Sequence, residues 1–480
     1  YNLFINMNFI KKNYIKIGSI SIGIGYYIYN KPKQFTYQQV YSSPKKLTTY
    51  KNGVYDITNF IESHPGGKEK ILEATNRHLE PYWNKYQQHL NPEVLKILET
   101  MKIGELSDYD PDKFYYLENC YNNEPIRDKK LLIHTEEPCN AETPKETIHT
   151  NPITPNNLWY IRNHNPVPNI KPEKYKLTFF EKDKVIKTFN LEQLKKLPSK
   201  KIITTIQCGG NRRNEYEHTI GTQWDIGAIS TAEWEGVPLH DLLKDYNYKH
   251  IHLIGYDGVK VSIPFKKGAS SFGDVILAYK MNGEELPRDH GYPVRVIVPG
   301  YVGIRNIKWI QEIILEDEEI DSSWQKGLAY KILPGSIRCL EDVSKINLDD
   351  IDTINELPIQ SCITYIEKLE KEEPNGYNYR IHGYAYSSKP FEYPCVNVSI
   401  DGGITWNIAG TNKEYEDLIK FKWSWCLWGL NVKIDKFPCN IICKAMDTKC
   451  NVQPKDIEDI WNIRGLSNNS VHKVNLEENK

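Results

Sequence analysis

Cys208 is the strongest candidate for a reactive residue in this chain, and it lies in the run Gln207-Cys208-Gly209-Gly210-Asn211-Arg212-Arg213. Cationic side chains favour the thiolate form of a neighbouring cysteine, and a thiolate is a suitable ligand for a soft transition metal. An isolated cysteine is more often a buried free thiol, but that interpretation does not account for the two glycines and two arginines beside it. These residues make Cys208 a candidate metal ligand, with a buried free thiol as the alternative.

A second candidate centre is the loop His64-Pro65-Gly66-Gly67. The proline and the glycines favour a tight turn whose backbone can approach a large planar ligand. A haem used for electron transfer needs two fixed axial ligands, so a second histidine must come from the opposite wall. His89, at the end of a predicted helix, suits this role better than His78, which lies too close to the first loop.

Other residues around this loop extend the pattern: Val54-Tyr55-Asp56-Ile57-Thr58, Phe60 and Lys102-Ile103-Gly104-Glu105-Leu106. Together they resemble the cytochrome b5 family. The resemblance implies an α+β domain with one haem b per subunit and with His64 and His89 as the axial ligands. The segment from Val40 to Tyr50 departs from the family, because it is short and lacks the usual tryptophan.

Several further runs accompany Cys208: Trp159 to His164, Trp224 with Gly227 to Thr231, Pro287 to Arg295, Val302 to Trp309, Tyr330-Lys331, and Trp461 to Gly465. Over about residues 36–475 these runs resemble the animal-type sulfite oxidase family. The resemblance implies a haem domain, a mixed α+β molybdopterin domain and an immunoglobulin-like dimerisation domain, in a homodimer. It also implies oxidation of sulfite to sulfate by oxygen-atom transfer at a molybdenum–molybdopterin centre, one per subunit, with electrons passing through the haem to cytochrome c.

The resemblance assigns roles to individual residues. Cys208 would be the protein ligand of molybdenum, and Tyr330 would lie beside the metal. Sulfite is a small dianion, which planar guanidinium groups suit well, and the implied anion pocket consists of Arg162, Arg213, Trp224 and Arg464. The implied cofactor-binding residues are Tyr160, Ile161, Arg162, Asn163, His164, Asp257, His290, Arg295, Asn306, Ile307 and Lys308. Two departures from the family are Gly209, where animal members have alanine, and the altered sequence that follows Tyr330.

The elements that must position these residues change in character along the chain. Residues 36–106 read as a strand with short helices at 69–76, 81–88 and 92–101, and in the last helix Val94, Ile97, Leu98 and Met101 recur at helical spacing. Residues 151–345 mix strands with short helices, whereas regular short strands follow from about 346 and indicate an all-β sandwich. The predicted divisions are a targeting segment at 1–34, the haem domain at 35–106, a flexible linker at 107–150, the molybdopterin domain at 151–345 and the dimerisation domain at 346–480.

Composition excludes several other classes. Mean hydropathy is −0.58, which excludes a multi-span membrane protein, and 61 basic against 62 acidic residues give no sign of a nucleic-acid partner. None of the ten cysteines forms a C-x-x-C pair, so we expect mostly reduced thiols. Residues 1–55 hold eight lysines and no acid, around an apolar run at 17–29. This pattern predicts routing to the mitochondrial intermembrane space without a stable membrane span in the mature protein, with a membrane anchor or secretion as alternatives.

Two other functions remain open from the residues. A nitrate reductase uses a related molybdenum domain and a b5-type haem, but there the haem domain follows the molybdenum domain, and here it precedes it. A non-catalytic haem protein would lack Cys208 and the pterin-binding residues. For the last domain, a monomeric sandwich is the alternative to a homodimer.

Overall fold

The computed structural model describes residues 32–109, 121–370, 376, 378–390, 395–411 and 422–478. These residues form two compact units: one holds the described residues up to 109 except 65–67, and the other holds 65–67 and the described residues from 121 onward. The predicted targeting segment therefore lies almost wholly outside the described residues. No helix within them is both long enough and apolar enough to cross a membrane.

The first unit is a four-stranded sheet, in the order β1-β4-β3-β2, with four short helices. Its strands are β1 (Gln34–Phe35), β2 (Leu47–Tyr50), β3 (Gly53–Asp56) and β4 (Lys102–Leu106). Its helices are α1 (Tyr37–Tyr41), α2 (Lys68–Glu73), α3 (Glu80–Lys85) and α4 (Pro92–Thr100). Helix α4 begins where the Asn91 side chain accepts a hydrogen bond from the Glu93 amide, with proline at the first helical position. Helices α2, α3 and α4 pack apolar side chains around Tyr55 and Ile57, whereas Val40 of α1 packs in a separate cluster with Leu47 and Val54.

The central part of the second unit contains two five-stranded sheets, ordered β10-β11-β14-β15 with β16 beside β14, and β13-β12-β17-β8-β9. Their strands are β8 (Leu177–Glu181), β9 (Lys184–Phe189), β10 (Lys200–Gln207), β11 (Ile229–Pro238), β12 (His250–Gly255), β13 (Lys260–Pro264), β14 (Ile276–Met281), β15 (Glu284–Glu285), β16 (Arg295–Ile297) and β17 (Ile310–Glu316). The helices are α6 (Leu191–Lys195), α7 (Leu239–Leu243) and α8 (Phe265–Ala269). A large apolar core draws on both sheets, from Leu253 and Ile313 on one and from Leu277 and Val296 on the other. This mixed α+β architecture agrees with the prediction for the molybdopterin domain.

Residues 121–150 fold as part of the second unit, although the sequence predicted a flexible linker over 107–150. They contain β5 (Leu132–Thr135), β6 (Asn140–Glu142) and α5 (Lys145–Ile148). Strand β6 is the middle strand of a three-stranded sheet with β5 and β7 (Ile161–Arg162). Leu131, Cys139 and Ala141 are buried there and form a small core with Ile161. The structure therefore limits a linker to the residues before 121, of which 110–120 lie outside the described residues.

The last part of the second unit is sheet-rich, as the sequence predicted. Two four-stranded sheets, β18-β19-β23-β22 and β21-β20-β24-β25, enclose a common core that includes Ile381, Val398 and Ile441. The strands are β18 (Gln360–Lys368), β19 (Tyr379–Tyr386), β20 (Cys395–Ser399), β21 (Asn407–Ile408), β22 (Gly410–Thr411), β23 (Cys426–Val432), β24 (Cys439–Met446) and β25 (His472–Leu476). In the turn after β20, Gly402 and Gly403 adopt positive φ angles of 73° and 98°.

Candidate active site

His64 and His89 face each other within the first unit. Their ring centres lie 6.0 Å apart and the ring planes are nearly parallel, at 12°. A bond from a metal to an imidazole nitrogen is about 2 Å long, so two imidazoles on one metal would have their centres about 6 Å apart. The geometry of the pair therefore fits two axial ligands of one haem iron.

The surroundings of His89 favour metal binding through one ring nitrogen. Its Nδ1 lies 2.9 Å from the Tyr86 carbonyl oxygen, which accepts the Nδ1 proton and leaves the Nε2 lone pair available to a metal. Burial lowers the pKa of His89 and so disfavours its protonated form. Phe60 packs edge-on against His64 and Trp83 stacks beside His89, which gives the site the apolar walls that a haem requires.

A cleft in the second unit collects most of the other predicted residues. It encloses about 650 Å³ of empty space, which includes open solvent. The predicted residues that line it are Tyr160, Arg162, His164, Cys208, Asp257, His290, Arg295, Asn306, Ile307, Lys308 and Tyr330. Side chains from widely separated positions between 160 and 330 thus line one cavity.

The Cys208 loop begins where β10 ends, at Gln207. The Cys208 amide donates to the Ala228 carbonyl at 2.9 Å, and the Asn211 amide donates to the Cys208 carbonyl at 3.1 Å. Arg212, which has a positive φ of 66°, is completely buried and donates two 2.7 Å hydrogen bonds to the Glu215 carboxylate. It also donates to the Ser470 carbonyl at 2.7 Å, so the loop is held against the last sheet-rich part.

Arg213 is enclosed by backbone. Its Nε donates to the Arg464 carbonyl at 2.9 Å and its Nη1 donates to the Thr222 carbonyl at 2.7 Å. A Cβ atom at Gly210 would lie 2.5 Å from the Arg213 guanidinium, and one at Gly465 would lie 2.7 Å from its Cγ. Glycine is therefore required at both positions to leave room for this arginine.

Arg162, Arg213 and Arg464 lie close enough to repel one another. The pKa of Arg464 is lowered to about 10, first by burial and then by the charges of Arg213 and Arg162. Burial also lowers the pKa of Arg213, with the charge of Arg162 adding to the effect and the Cys208 sulfur opposing it. Buried like charges are unfavourable unless they are compensated, so this cluster fits an anion beside Cys208.

Three buried nitrogen donors at this site have no hydrogen-bond partner among the described residues: His164 Nε2, Arg295 Nε and Arg464 Nε. Arg162 Nη2 lies 3.0 Å from His164 Nδ1, so Nδ1 is the acceptor and the unpartnered Nε2 carries the proton. Buried donors are rarely left unsatisfied in a protein. Their presence fits a bound group rich in acceptor oxygens, such as the phosphate and ring carbonyl of a pterin cofactor and an oxyanion substrate.

Lys308 lines the cleft and belongs to a network of buried polar groups. It donates to the Asn163 side-chain oxygen, and to the Asp289 carbonyl at 2.8 Å. Asp289 accepts from Asn163 at 3.0 Å and from Arg127 at 2.9 and 3.0 Å. Burial lowers the pKa of Lys308 to about 7, opposed by the Asp289 charge. An anionic cofactor group in the cleft would favour the charged form of this lysine.

This environment predicts a pH-dependent stability of the cofactor-free protein. In the folded protein the pKa of Lys308 is about 7, below its ordinary value of 10.5. Between pH 7 and pH 10.5, Lys308 is therefore protonated in the unfolded chain and neutral in the folded protein. Lys308 should therefore make the free energy of unfolding rise by about 1.4 kcal/mol per pH unit between pH 8 and 10, a contribution lost as the pH falls toward 7. Urea unfolding at pH 8, 9 and 10 measures this slope, which Lys308→Met should reduce. The exposed Lys201→Met serves as the control, and equal slopes in the two variants would contradict the prediction.

Some of the predicted residues lie outside the lining of the cleft. Ile161 packs in the small core with Leu131 and Cys139. Asn163 is buried behind Lys308, and Trp224 is completely buried in the core around Cys208, with its ring edge-on to His134. Arg213 is close enough to Cys208 and Tyr330 to interact with their charges, and Arg464 is close enough to interact with that of Tyr330. The roles of all five residues remain predictions. Ile161 and Trp224 could act on a bound cofactor or substrate only through other residues.

Tyr330 reaches the cleft from a short 3₁₀ helix, Leu328–Tyr330. Its ring lies 3.8 Å from the position of a Cβ atom built on Gly209, which places it next to the Cys208 loop. Burial raises its pKa, with the Cys208 sulfur adding to the effect, so the hydroxyl stays protonated at neutral pH. Lys331 is buried and donates to the Ile351 carbonyl at 2.5 Å, which holds the altered loop in place.

Several residues around this site were not predicted from the sequence. Asn140 accepts a hydrogen bond from Arg162, and Glu142 accepts one from the Gly227 amide, in the segment after Trp224. Arg127 donates a hydrogen bond to Asp289. All three lie in the stretch interpreted as a linker. The only available signal was the alternation of small apolar and polar residues from Cys139 to Thr143.

Three known domain families match this chain in the predicted order. Residues 34–107 match the cytochrome b5-like heme/steroid binding domain. Residues 164–324 match the oxidoreductase molybdopterin binding domain, and residues 351–479 match the Mo-co oxidoreductase dimerisation domain. The chain is therefore a multidomain oxidoreductase with a haem domain and a molybdopterin domain.

Comparison with whole proteins gives the same result. The mitochondrial sulfite oxidase of Mus musculus is 37% identical over 469 residues, which cover 93% of this chain and 84% of that protein. The sulfite oxidase of Gallus gallus is also 37% identical, covering 88% of this chain and 95% of that protein. Nitrate reductase [NADH] 1 of Nicotiana tabacum is 34% identical, but the match covers only 41% of its length.

Among solved structures, the sulfane dehydrogenase SoxCD from Paracoccus pantotrophus matches with a TM-score of 0.59 and 23% identity. The match covers 74% of this chain and 88% of that one, and at this identity it shows a shared fold. The sulfite oxidase relatives carry the stronger conclusion, because their identity extends over most of both sequences. This chain belongs to the sulfite oxidase family.

Proposed function

We propose that Arg162, Arg213 and Arg464 hold sulfite beside Cys208 while it is oxidised to sulfate. The observation that carries this proposal is the group of three mutually repelling guanidiniums, one of which has an unpartnered buried Nε. The overall reaction converts sulfite and water into sulfate, two protons and two electrons. Positive charge that is already in place stabilises the bound dianion without the cost of reorganising water.

Each side chain has a distinct task in this proposal. The molybdenum–molybdopterin cofactor supplies two-electron oxygen-atom transfer when it is bound, and the Cys208 thiolate would be its protein ligand. The protonated Tyr330 hydroxyl can donate a hydrogen bond to an anion oxygen. His164 Nε2 and Arg295 Nε, both buried and unpartnered, are donors for the acceptor groups of the pterin, and Lys308 offers positive charge to its phosphate.

The two electrons would leave one at a time through the haem held by His64 and His89. Cytochrome c is the acceptor that we propose for them. The net charge of about −9 carried by residues 56–480 supports a basic partner, because opposite charges steer association. The names of the mammalian relatives and the basic, acid-free start of the chain support a mitochondrial location, and we propose the intermembrane space.

A homodimer is the assembly that we propose, formed through the last domain. The match of residues 351–479 to a dimerisation domain supports it. Arg464 belongs to this domain and contributes to the anion cluster of the same chain, so the domain also completes the site.

The arginine cluster gives a direct test of the proposed function. Arg464→Gln should lower kcat/KM for sulfite about 30-fold or more, because loss of one partner of a buried charged contact costs about 2–5 kcal/mol. Steady-state oxidation with ferricyanide as the acceptor measures this effect without the haem. Arg338→Gln removes an exposed arginine in the same unit and should leave kcat/KM unchanged. An unchanged sulfite KM in Arg464→Gln would rule out this arginine as an anion ligand.

A further inference from the structure

Strand β6 carries two polar side chains that the proposed chemistry does not use, Asn140 and Glu142. They are only 3% and 2% exposed. Because they are two residues apart on a strand, they lie on the same face of the sheet. Buried polar groups need partners, and the partners of these two lead to the anion cluster from different sides.

Asn140 fixes Arg162. The two residues are opposite each other in the register of β6 and β7. The Asn140 Oδ1 accepts from Arg162 Nη1 at 3.0 Å and from the Asn163 amide at 3.2 Å. Its Nδ2 donates to Thr135 Oγ1 at 2.8 Å and to the Pro138 carbonyl at 3.0 Å. The Asn140 side-chain amide is thus held through both its oxygen and its nitrogen, and its oxygen is the acceptor that faces the Arg162 guanidinium.

Glu142 fixes the segment 222–228. Its carboxylate accepts hydrogen bonds from the amides of Asp225 and Gly227, the latter at 3.0 Å. His134 Nε2 lies 2.8 Å from Oε1 and orients the carboxylate. A Cβ atom on Gly227 would lie 2.2 Å from the Thr143 carbonyl oxygen, so a side chain at this position would clash with the backbone that follows β6.

The same segment holds the other side of the anion cluster. The Thr222 carbonyl accepts from Arg213 Nη1 at 2.7 Å, and the Ala228 carbonyl accepts from the Cys208 amide at 2.9 Å. A displacement of this segment would therefore move Arg213 and Cys208 together, relative to Arg162.

We propose that Asn140 and Glu142 are positioning residues that set the separation between Arg162 on one side of the anion pocket and Arg213 with Cys208 on the other. This inference rests on the proposed function, which assigns the arginines to sulfite. Both residues act through the arginines and the loop, and neither touches the substrate. Their effect is on anion affinity, because an electrostatic site loses strength when its donors are misplaced.

The first test is Asn140→Ala. The variant should raise the sulfite KM about tenfold, the effect of losing one hydrogen bond to a charged group, with unchanged kcat, molybdenum content and haem spectrum. Asn378→Ala is the matched control, since Asn378 likewise exchanges two hydrogen bonds with backbone, at Ile434, far from the site in the sandwich. If Asn140→Ala does not fold, Asn140→Ser replaces it, because serine keeps a short side-chain oxygen.

A double-mutant cycle separates positioning from a general loss of structure. In an Arg162→Gln background, Asn140→Ala should raise the sulfite KM by less than about twofold further, because its target is already absent. Glu142→Gln, which turns one acceptor into a donor facing backbone amides, should raise the KM by a smaller factor in an Arg213→Gln background than alone, and the part that remains acts through Cys208. Additive effects in both cycles would overturn the proposal.

The cycle also distinguishes the two possible failures. If Arg162→Gln alone leaves the sulfite KM unchanged, the proposed anion pocket is wrong. If Arg162→Gln raises the KM but Asn140→Ala and Glu142→Gln do not, the pocket stands and the positioning role is wrong.

Discussion

Replacing Cys208 by serine should lower sulfite oxidation by more than about 100-fold, since loss of even an outer partner of a metal ligand costs about 10–100-fold. The hydroxyl of serine is a hard, weakly acidic ligand and cannot replace a thiolate on a soft metal. The expected result is folded protein that contains haem and that sulfite no longer reduces. Steady-state oxidation with ferricyanide and with cytochrome c should be lost together, because the defect precedes both acceptors.

Cys426→Ser is the control for this variant. Cys426 is also buried in the second unit, but burial raises its pKa to about 11, so it is a neutral thiol on strand β23. We expect reduced stability and unchanged turnover per molybdenum in this variant. Equal activity of Cys208→Ser and Cys426→Ser would mean that Cys208 is a structural thiol.

The second large effect should come from His89→Ala. Loss of one axial ligand removes half of the protein's hold on the iron, so the purified variant should contain little haem and should lack the spectrum of a six-coordinate b-type haem. Cytochrome c reduction should fall to background. Oxidation of sulfite with ferricyanide should persist, because Cys208 and the arginine cluster lie in the other unit.

His78→Ala is the matched control, and it tests the alternative ligand in the same domain. Thr49 Oγ1 lies 2.6 Å from His78 Nδ1, and the His78 ring stacks on Tyr37 at 4.1 Å. These contacts indicate a structural role, so haem content should be retained. Haem loss in His78→Ala together with haem retention in His89→Ala would reverse the ligand assignment.

The sequence predicted that His64 and His89 lie together because the constraint is local, and their role as haem ligands stays a prediction. His64 and the short helix of His89 belong to the first unit, and their spacing left one plausible partner. Helical periodicity was less decisive in α4, where Ile97 is 47% exposed while Leu95 packs on the core. An apolar stripe shifted by one residue along the helix has the same helical period. The packing of the helix on its neighbours therefore decides which of the two stripes is buried.

The stretch from 121 to 150 shows a different limit of sequence reasoning. Its acids, asparagines and prolines suggested solvent exposure, yet Asn140 and Glu142 are buried because their partners are an arginine and backbone amides from distant parts of the chain. Local composition carries no information about those partners. The packing of Gly465 against Arg213 is likewise a long-range feature, and only family resemblance indicated Arg464.

Anaerobic mixing of the purified holoprotein with sulfite, followed at the haem Soret band, tests the central claim most directly. Sulfite should reduce the haem with no other donor present, and cytochrome c should then reoxidise it, whereas nitrate should not. The claim is contradicted if sulfite leaves the haem oxidised while dithionite reduces it, or if nitrate reoxidises the reduced haem.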